Sequence, residues 1–180
     1  MRRSDLALVV LFSLSTTALG AAALLSSRVP YPPLLEKLKA AGGDPVKAVV
    51  IHGIEDLSVL KPARRYKYVV RRDGFMAVAP RPLDEPNNEY VHPVLARGEP
   101  VRTAGIVHVE HRGALAEDEL VFVDQDSKAY CPTFDSLQEV RLAMTRVNIA
   151  RDHIRLEDHP PTCAPLPSSS PPAPADGGAP

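Results

Sequence analysis

Four residues of this chain carry side chains from which an active site could be assembled: His92, Asp124, Asp126 and Tyr130. Imidazole, carboxylate and phenol groups can together move protons in general acid–base catalysis. Because the four lie far apart in the sequence, only folding can bring them together. A concave pocket in which His92 meets one of the two carboxylates would favour an enzyme, whereas a flat surface would favour a binding domain.

The remaining reactive residues do not have the spacing of a known catalytic or metal centre. In a strand, His108 and Glu110 face one side and His111 faces the other, which is typical of a polar surface. A zinc deaminase needs Pro-Cys-x-x-Cys, whereas here Cys131 precedes Pro132. The Gly-x-Ser-x-Gly of serine hydrolases does not occur in the sequence. We therefore assign no catalytic residue, no metal ligand and no cofactor.

The sequence favours a non-enzymatic binding or interaction domain over an enzyme. Residues 80–100 form a long connection rich in proline and asparagine, and such loops often carry recognition residues. The candidate ligand-binding residues there are Asn88, Glu89, Tyr90 and His92. The expected partner is an unidentified protein, a cell-envelope component or a small molecule. Two alternatives stay open: the enzyme described above, and a membrane-anchored envelope protein with a structural role.

Residues 1–27 have the pattern of an export signal. Arg2 and Arg3 precede an apolar run at residues 6–25, and small residues lie near its end. This length fits a signal peptide or an uncleaved anchor, and cleavage near Ala21 or Leu24 is preferred because serines and threonines dilute the middle of the run. The expected location is the periplasm or the extracellular space, with membrane contact only through residues 6–25 if the leader is retained.

Composition suggests a bacterial source and excludes a nucleic-acid partner. The chain is rich in Arg, Ala and Pro and contains no Trp, which is typical of a GC-rich genome. It has 21 Lys and Arg against 22 Asp and Glu, so its formal net charge is −1 and no basic surface is indicated. Residues 28–159 suffice for a single domain with a hydrophobic core. Residues 160–180 are proline-rich and are expected to be disordered.

Periodicity in the domain predicts an α+β fold with an antiparallel sheet of hairpins and one main helix packed on it. Asp73-Gly74 predicts a tight turn between strands at 66–72 and 75–79. The other predicted elements are a short helix at 34–41, a strand at 46–51, a hairpin of 105–110 and 120–124 through the Gly113 region, a helix at 133–147 capped by Thr133, and a last strand at 154–156. Cys131 and Cys163 flank that helix and last strand, and export favours a disulfide between them.

One segment of the domain resembles a known module. Its pattern is formed by His92, Leu95, Gly98, Pro100-Val101 and Ala104-Gly105, followed by a hairpin and by Ser-Lys-Ala-Tyr-Cys-Pro at residues 127–132 before a helix. This arrangement, over residues 89–147, resembles a module of plant IQ-motif calmodulin-binding proteins and of assorted bacterial and fungal proteins.

The departures from that module limit what the resemblance implies. The module has Ser-Gly-His-Tyr-x-Pro, so Lys128 and Ala129 replace its Gly and His, and chemistry that uses the His is not expected. No IQ helix is found before the segment, so calmodulin binding is not implied. The resemblance instead implies a buried Tyr130, which we expect beside Met144, and a turn or close-approach role for Gly105. For His92 it leaves both a structural hydrogen bond and a ligand contact open.

Overall fold

The computed structural model describes residues 23–86, 88–111 and 119–163, with only the backbone described at His111 and Glu119. The leader up to residue 22, the turn around Gly113 and the tail from residue 164 lie outside the described residues. The strands are β1 (Val49–Ile51), β2 (Arg65–Arg71), β3 (Met76–Val78), β4 (Val101–His111), β5 (Glu119–Val123) and β6 (Ile154–Leu156); the α-helices are α1 (Tyr31–Ala40), α2 (His92–Leu95) and α3 (Gln138–Arg146). The fold is α+β, as the sequence predicts.

The sheet has the strand order β1-β3-β2-β4-β5-β6. Four of its neighbouring pairs are antiparallel, but β5 and β6 are parallel, so the prediction of an antiparallel sheet is wrong at this edge. The physical reason is the connection. Helix α3 lies between β5 and β6, and a helical crossover returns the chain to the sheet in the same direction as the strand before it.

The Asp73-Gly74 hairpin forms as predicted between β2 and β3. Gly74 has a φ of 84°, in the left-handed region that glycine occupies without strain. The amide of Arg71 donates to the carbonyl oxygen of Phe75 at 2.9 Å, and the Asp73 carboxylate accepts from the Phe75 amide at 3.0 Å. The turn thus fixes the register of β3 against β2, one of the two central strands of the sheet.

One face of the sheet packs against α3. Alternate residues of β2 point to this side, among them Tyr66, Tyr68 and Val70, and they meet Val140 and Met144 of the helix. The helix is preceded by a 3-10 turn at Phe134–Leu137, and the Thr133 side chain makes no capping hydrogen bond, contrary to the prediction. Within that turn, the Oγ of Ser136 donates to the Thr133 carbonyl oxygen at 2.7 Å.

The opposite face is also covered, which the prediction of a single packed helix did not include. Here α1 and the short helix α2 bury Val69 and Ala104 of the central strands. Tyr130 belongs to this second core, whereas Met144 belongs to the core under α3. Tyr130 is therefore buried as expected, but the expectation that it packs beside Met144 is wrong because the sheet separates the two residues.

Cys131 and Cys163 are joined by a disulfide, with their Cα atoms 6.0 Å apart. This is the pairing that the sequence predicts. The bond ties the chain after β6 to the segment that follows β5, and it is consistent with an exported protein. No helix within residues 23–86, 88–111 and 119–163 is both long and apolar enough to cross a membrane.

Candidate functional site

A groove of about 420 Å³ lies on the sheet face that α1 and α2 cover. Its walls come from α1, from the start of α2, from β2 and β4, and from the segment after β5. Most of these side chains are apolar: Val29, Leu34, Leu83, Val91, Pro93, Ile106 and Ala129. The polar side chains in the lining are Lys67, His92, Asp126 and Lys128. A concave apolar surface with a few polar groups is the usual form of a small-molecule site.

Lys67 is the polar residue that β2 places in the groove, opposite Ile106 of β4. Its side chain is half-buried. Burial lowers the pKa of Lys67 because the charged ammonium loses water, and the negative charge of Glu89 opposes that effect. The sequence did not single out Lys67, because the alternation of β2 places it on a face that would be solvent-exposed if only one side of the sheet were covered.

His92 begins α2 and reaches the backbone of β4. Its Nε2 donates to the carbonyl oxygen of Gly105 at 2.9 Å, since a carbonyl oxygen can only accept. Burial lowers the pKa of His92 to about 4, although the hydrogen bond to Gly105 raises it. The ring is therefore neutral near pH 7. His92 makes a structural hydrogen bond and also lines the groove, so the structural role is confirmed and the ligand contact stays a prediction.

Two of the other three binding candidates in the loop, Asn88 and Tyr90, have contacts that fix the loop itself. The Asn88 amide donates to the carbonyl oxygen of Pro82 at 2.6 Å. The Tyr90 hydroxyl donates to the carbonyl oxygen of Asp44 at 3.0 Å and accepts from the Asp44 amide at 3.1 Å. The negative charge of Glu89 raises the pKa of Lys67, which lines the groove. Of the four candidates, His92 is the one among the described lining residues.

The four residues of the enzyme hypothesis are only partly brought together. His92 and Asp126 share the concave groove, and this is the part of the arrangement that favours an enzyme. Tyr130 donates its hydroxyl to the carbonyl oxygen of Glu99 at 3.0 Å, and burial raises its pKa to about 12. The Oδ1 atom of Asp124 accepts from the amides of Ile106 and Asp126, each at 2.9 Å. Tyr130 and Asp124 are thus held by backbone groups.

A second polar cluster, which the sequence did not reveal, surrounds the other oxygen of Asp124. The Oδ2 atom lies 3.2 Å from Nη2 of Arg65 and 3.3 Å from Nδ1 of His159. The same His159 nitrogen is 3.9 Å from Oε2 of Glu157. Asp124, Glu157 and His159 are the one group of potential metal ligands found among the residues that the structure describes. The sequence signal that could have revealed this cluster is the pair Glu157 and His159, two positions apart directly after the last strand.

Comparison with protein-family models, with curated proteins and with solved structures gave no match to this chain. The resemblance of residues 89–147 to the IQ-motif protein module therefore stays a prediction.

Proposed function

We propose that this chain is an exported, non-enzymatic binding domain, and that its groove takes an apolar ligand carrying one anionic group. The observation that carries the proposal is Lys67, a half-buried ammonium group in a groove whose walls are otherwise largely apolar. The apolar part of the ligand would cover the walls, and its anion would pair with Lys67. The Cys131–Cys163 disulfide supports the exported location.

The charges around the groove support an anion rather than a cation as the polar part of the ligand. Lys67 and Lys128 each contribute a positive charge and Asp126 one negative charge. His92 is neutral near pH 7 because burial lowers its pKa to about 4. The lining residues are therefore positive by one charge; Glu89, whose negative charge acts on Lys67, is not among them. Pairing a desolvated ammonium with an anion offsets the cost of its burial, and charge-assisted hydrogen bonds are among the strongest available.

The groups that would perform acid–base chemistry support binding rather than catalysis. The Nε2–H of His92 is already engaged by a backbone carbonyl oxygen. The Tyr130 hydroxyl and one oxygen of Asp124 are likewise bonded to the backbone. A general base works best when its pKa is near the working pH, whereas burial lowers the pKa of His92 to about 4. Asp126, which also lines the groove, is the residue on which the enzyme alternative now depends.

The proposal is tested with a fluorescent fatty-acid analogue, 11-(dansylamino)undecanoic acid, titrated into the purified exported protein. We expect saturable binding and an emission increase as the probe enters the apolar groove. Lys67→Met should weaken binding at least about tenfold, the scale of one lost charge-assisted interaction. Lys61→Met is the matched control, because Lys61 is exposed and is not among the described lining residues; it should bind like the wild type.

A second pair of variants tests the apolar walls. Leu83→Glu places a carboxylate in the groove and should abolish binding, whereas Leu142→Glu, at an exposed position on α3, should not. Absence of saturable binding, or equal binding by the wild type and Lys67→Met, would overturn the proposal. Mass spectrometry of the released ligand distinguishes the enzyme alternative, because a binding domain returns it unchanged.

A further inference from the structure

We propose that Asp124, Glu157 and His159 form a binding site for one divalent transition-metal ion, at the end of the parallel β5–β6 pair. One ligand atom from each residue lies within 4.8 Å of the others. Two carboxylates and an imidazole suit Zn²⁺ or Mn²⁺, which accept mixed oxygen and nitrogen ligands. Three protein ligands would leave a position open for water.

Strand register brings the three residues together. Val123 of β5 pairs with Leu156 of β6, and the amide of Glu157 donates to the Val123 carbonyl oxygen at 2.8 Å. Asp124 follows β5 and Glu157 follows β6, so these two residues leave the sheet side by side. Side chains two positions apart in an extended chain point to the same side, so His159 joins Glu157 over Asp124. The site depends on the parallel pairing, since an antiparallel strand would separate these residues.

The burial of Asp124 points to a cation at this place. Its side chain is 2% exposed, whereas those of its two positively charged or chargeable partners, Arg65 and His159, are 52% and 57% exposed. A buried carboxylate requires close neutralisation, and ion pairs with half-exposed side chains are weakened by solvent. A divalent ion bound to Oδ2 would neutralise this carboxylate more closely than the half-exposed Arg65 does.

The geometry of Asp124 also prepares it to act as a ligand. Its Oδ1 atom is held by the amides of Ile106 and Asp126, which fixes the direction of Oδ2. Such hydrogen bonds to a ligating carboxylate tune and orient metal sites. Glu157 and His159 are accessible from solvent, so an ion can enter. Arg65 contacts the same Oδ2 atom and competes with the ion, but its exposed side chain is free to move aside.

The test is calorimetric titration of the metal-free protein, with its disulfide intact, with Zn²⁺ and then with Mn²⁺. We expect one ion per chain for at least one metal. His159→Asn and Glu157→Gln should each weaken binding at least tenfold. Arg65→Met should strengthen it several-fold, because the competing charge is removed. Asp124 is left unchanged, because its substitution would disturb a buried backbone contact.

Matched controls separate a built site from binding by scattered surface groups. Asp152 and His153 form another carboxylate–imidazole pair, 4.0 Å apart, close to the same edge of the sheet. Asp152→Asn and His153→Asn should retain full affinity. At one fixed metal concentration, the melting temperature of the wild type should also rise by more than that of His159→Asn. The proposal is overturned if no metal binds with one-to-one stoichiometry, or if the control variants lose as much affinity as His159→Asn.

Discussion

The Nε2 atom of His92 and the carbonyl oxygen of Gly105 lie 2.9 Å apart, and this bond joins the start of α2 to the middle of β4. Gly105 also lies directly against the chain after β5. A Cβ atom at this position would collide with the backbone carbonyl oxygen of Asp124. Helix α2, strand β4 and the segment after β5 therefore meet at Gly105. That segment carries Asp126, which lines the groove, and Asp124, which belongs to the second polar cluster.

The burial of His92 predicts a pH-dependent stability. Burial lowers the pKa of His92 to about 4, below its usual value of 6.5. Between these two pH values the unfolded chain binds more protons than the folded chain, so the free energy of unfolding rises with pH across the window and is progressively lost as pH falls through it. The contribution is about 3 kcal/mol when fully present.

Denaturant titrations between pH 4.5 and pH 7 measure this dependence. The wild type and His92→Gln should differ in slope, with the variant losing less stability on acidification, because it has no imidazole to protonate. Carboxylates that titrate at the low end of the window are common to both proteins and cancel in the comparison. Parallel pH profiles would contradict the prediction.

Tyr130 should be a major contributor to the second core. Its ring is buried in the cluster with Tyr90 and Leu95, and its hydroxyl donates to Glu99. Tyr130→Ala should lower the free energy of unfolding by about 3 to 5 kcal/mol, as other large aromatic truncations do. Tyr130→Phe keeps the ring and should cost about 1 kcal/mol for the lost hydrogen bond. Thermal melts distinguish the two losses, and an Ala variant that melts like the wild type would place the ring outside the core.

The disulfide should be present in the native protein and should stabilise it. Non-reducing peptide mapping is expected to recover Cys131 linked to Cys163, which are 32 positions apart in the sequence. Closing a loop of that length restricts the unfolded chain, so the double variant Cys131→Ser, Cys163→Ser should lose about 3 kcal/mol. Alkylation of both thiols without a reductant, in protein from its native compartment, would show that the bond is absent.

The leader should be removed on export. Its charged start, apolar run and small residues predict a mature N-terminus near Ala21 or Leu24. Intact-mass measurement of the exported protein should show a loss of about 2 kDa, the mass of a signal segment of that length. A full-length product that fractionates with membranes would instead support a retained anchor.

Local pattern was sufficient for most of the fold. The Asp73-Gly74 turn was predicted from residue types that tolerate the positive φ of a tight turn. The last strand was predicted from residue types that favour the two-residue period of a strand. The parallel direction of that strand was implied by a strand, a helix and a strand in succession, but alternation of side chains carries no information on direction. Helix α2, with four residues and two prolines nearby, was too short for a helical period to appear.

The candidate site was less accessible to sequence. Alternation along β2 places Lys67 and Val69 on one side, but whether that side faces solvent depends on α1 and α2, which cover it from elsewhere in the chain. In the same way, Asp124 and His159 meet through the order of strands in the sheet, which the sequence of either segment does not encode. Sequence therefore singled out His92 and Asp126 and did not single out Lys67.

The parallel strand β6 has a consequence for incomplete chains. It covers β5 along Val121–Val123, and these residues pair with Ile154–Leu156. A chain that ends before residue 154 would leave β5 as a bare edge, with valines on it and unpaired backbone groups, which is the usual template for strand-to-strand self-association. The last three-residue strand thus protects the edge of β5. A nascent or clipped chain that lacks this strand is expected to aggregate or to be degraded.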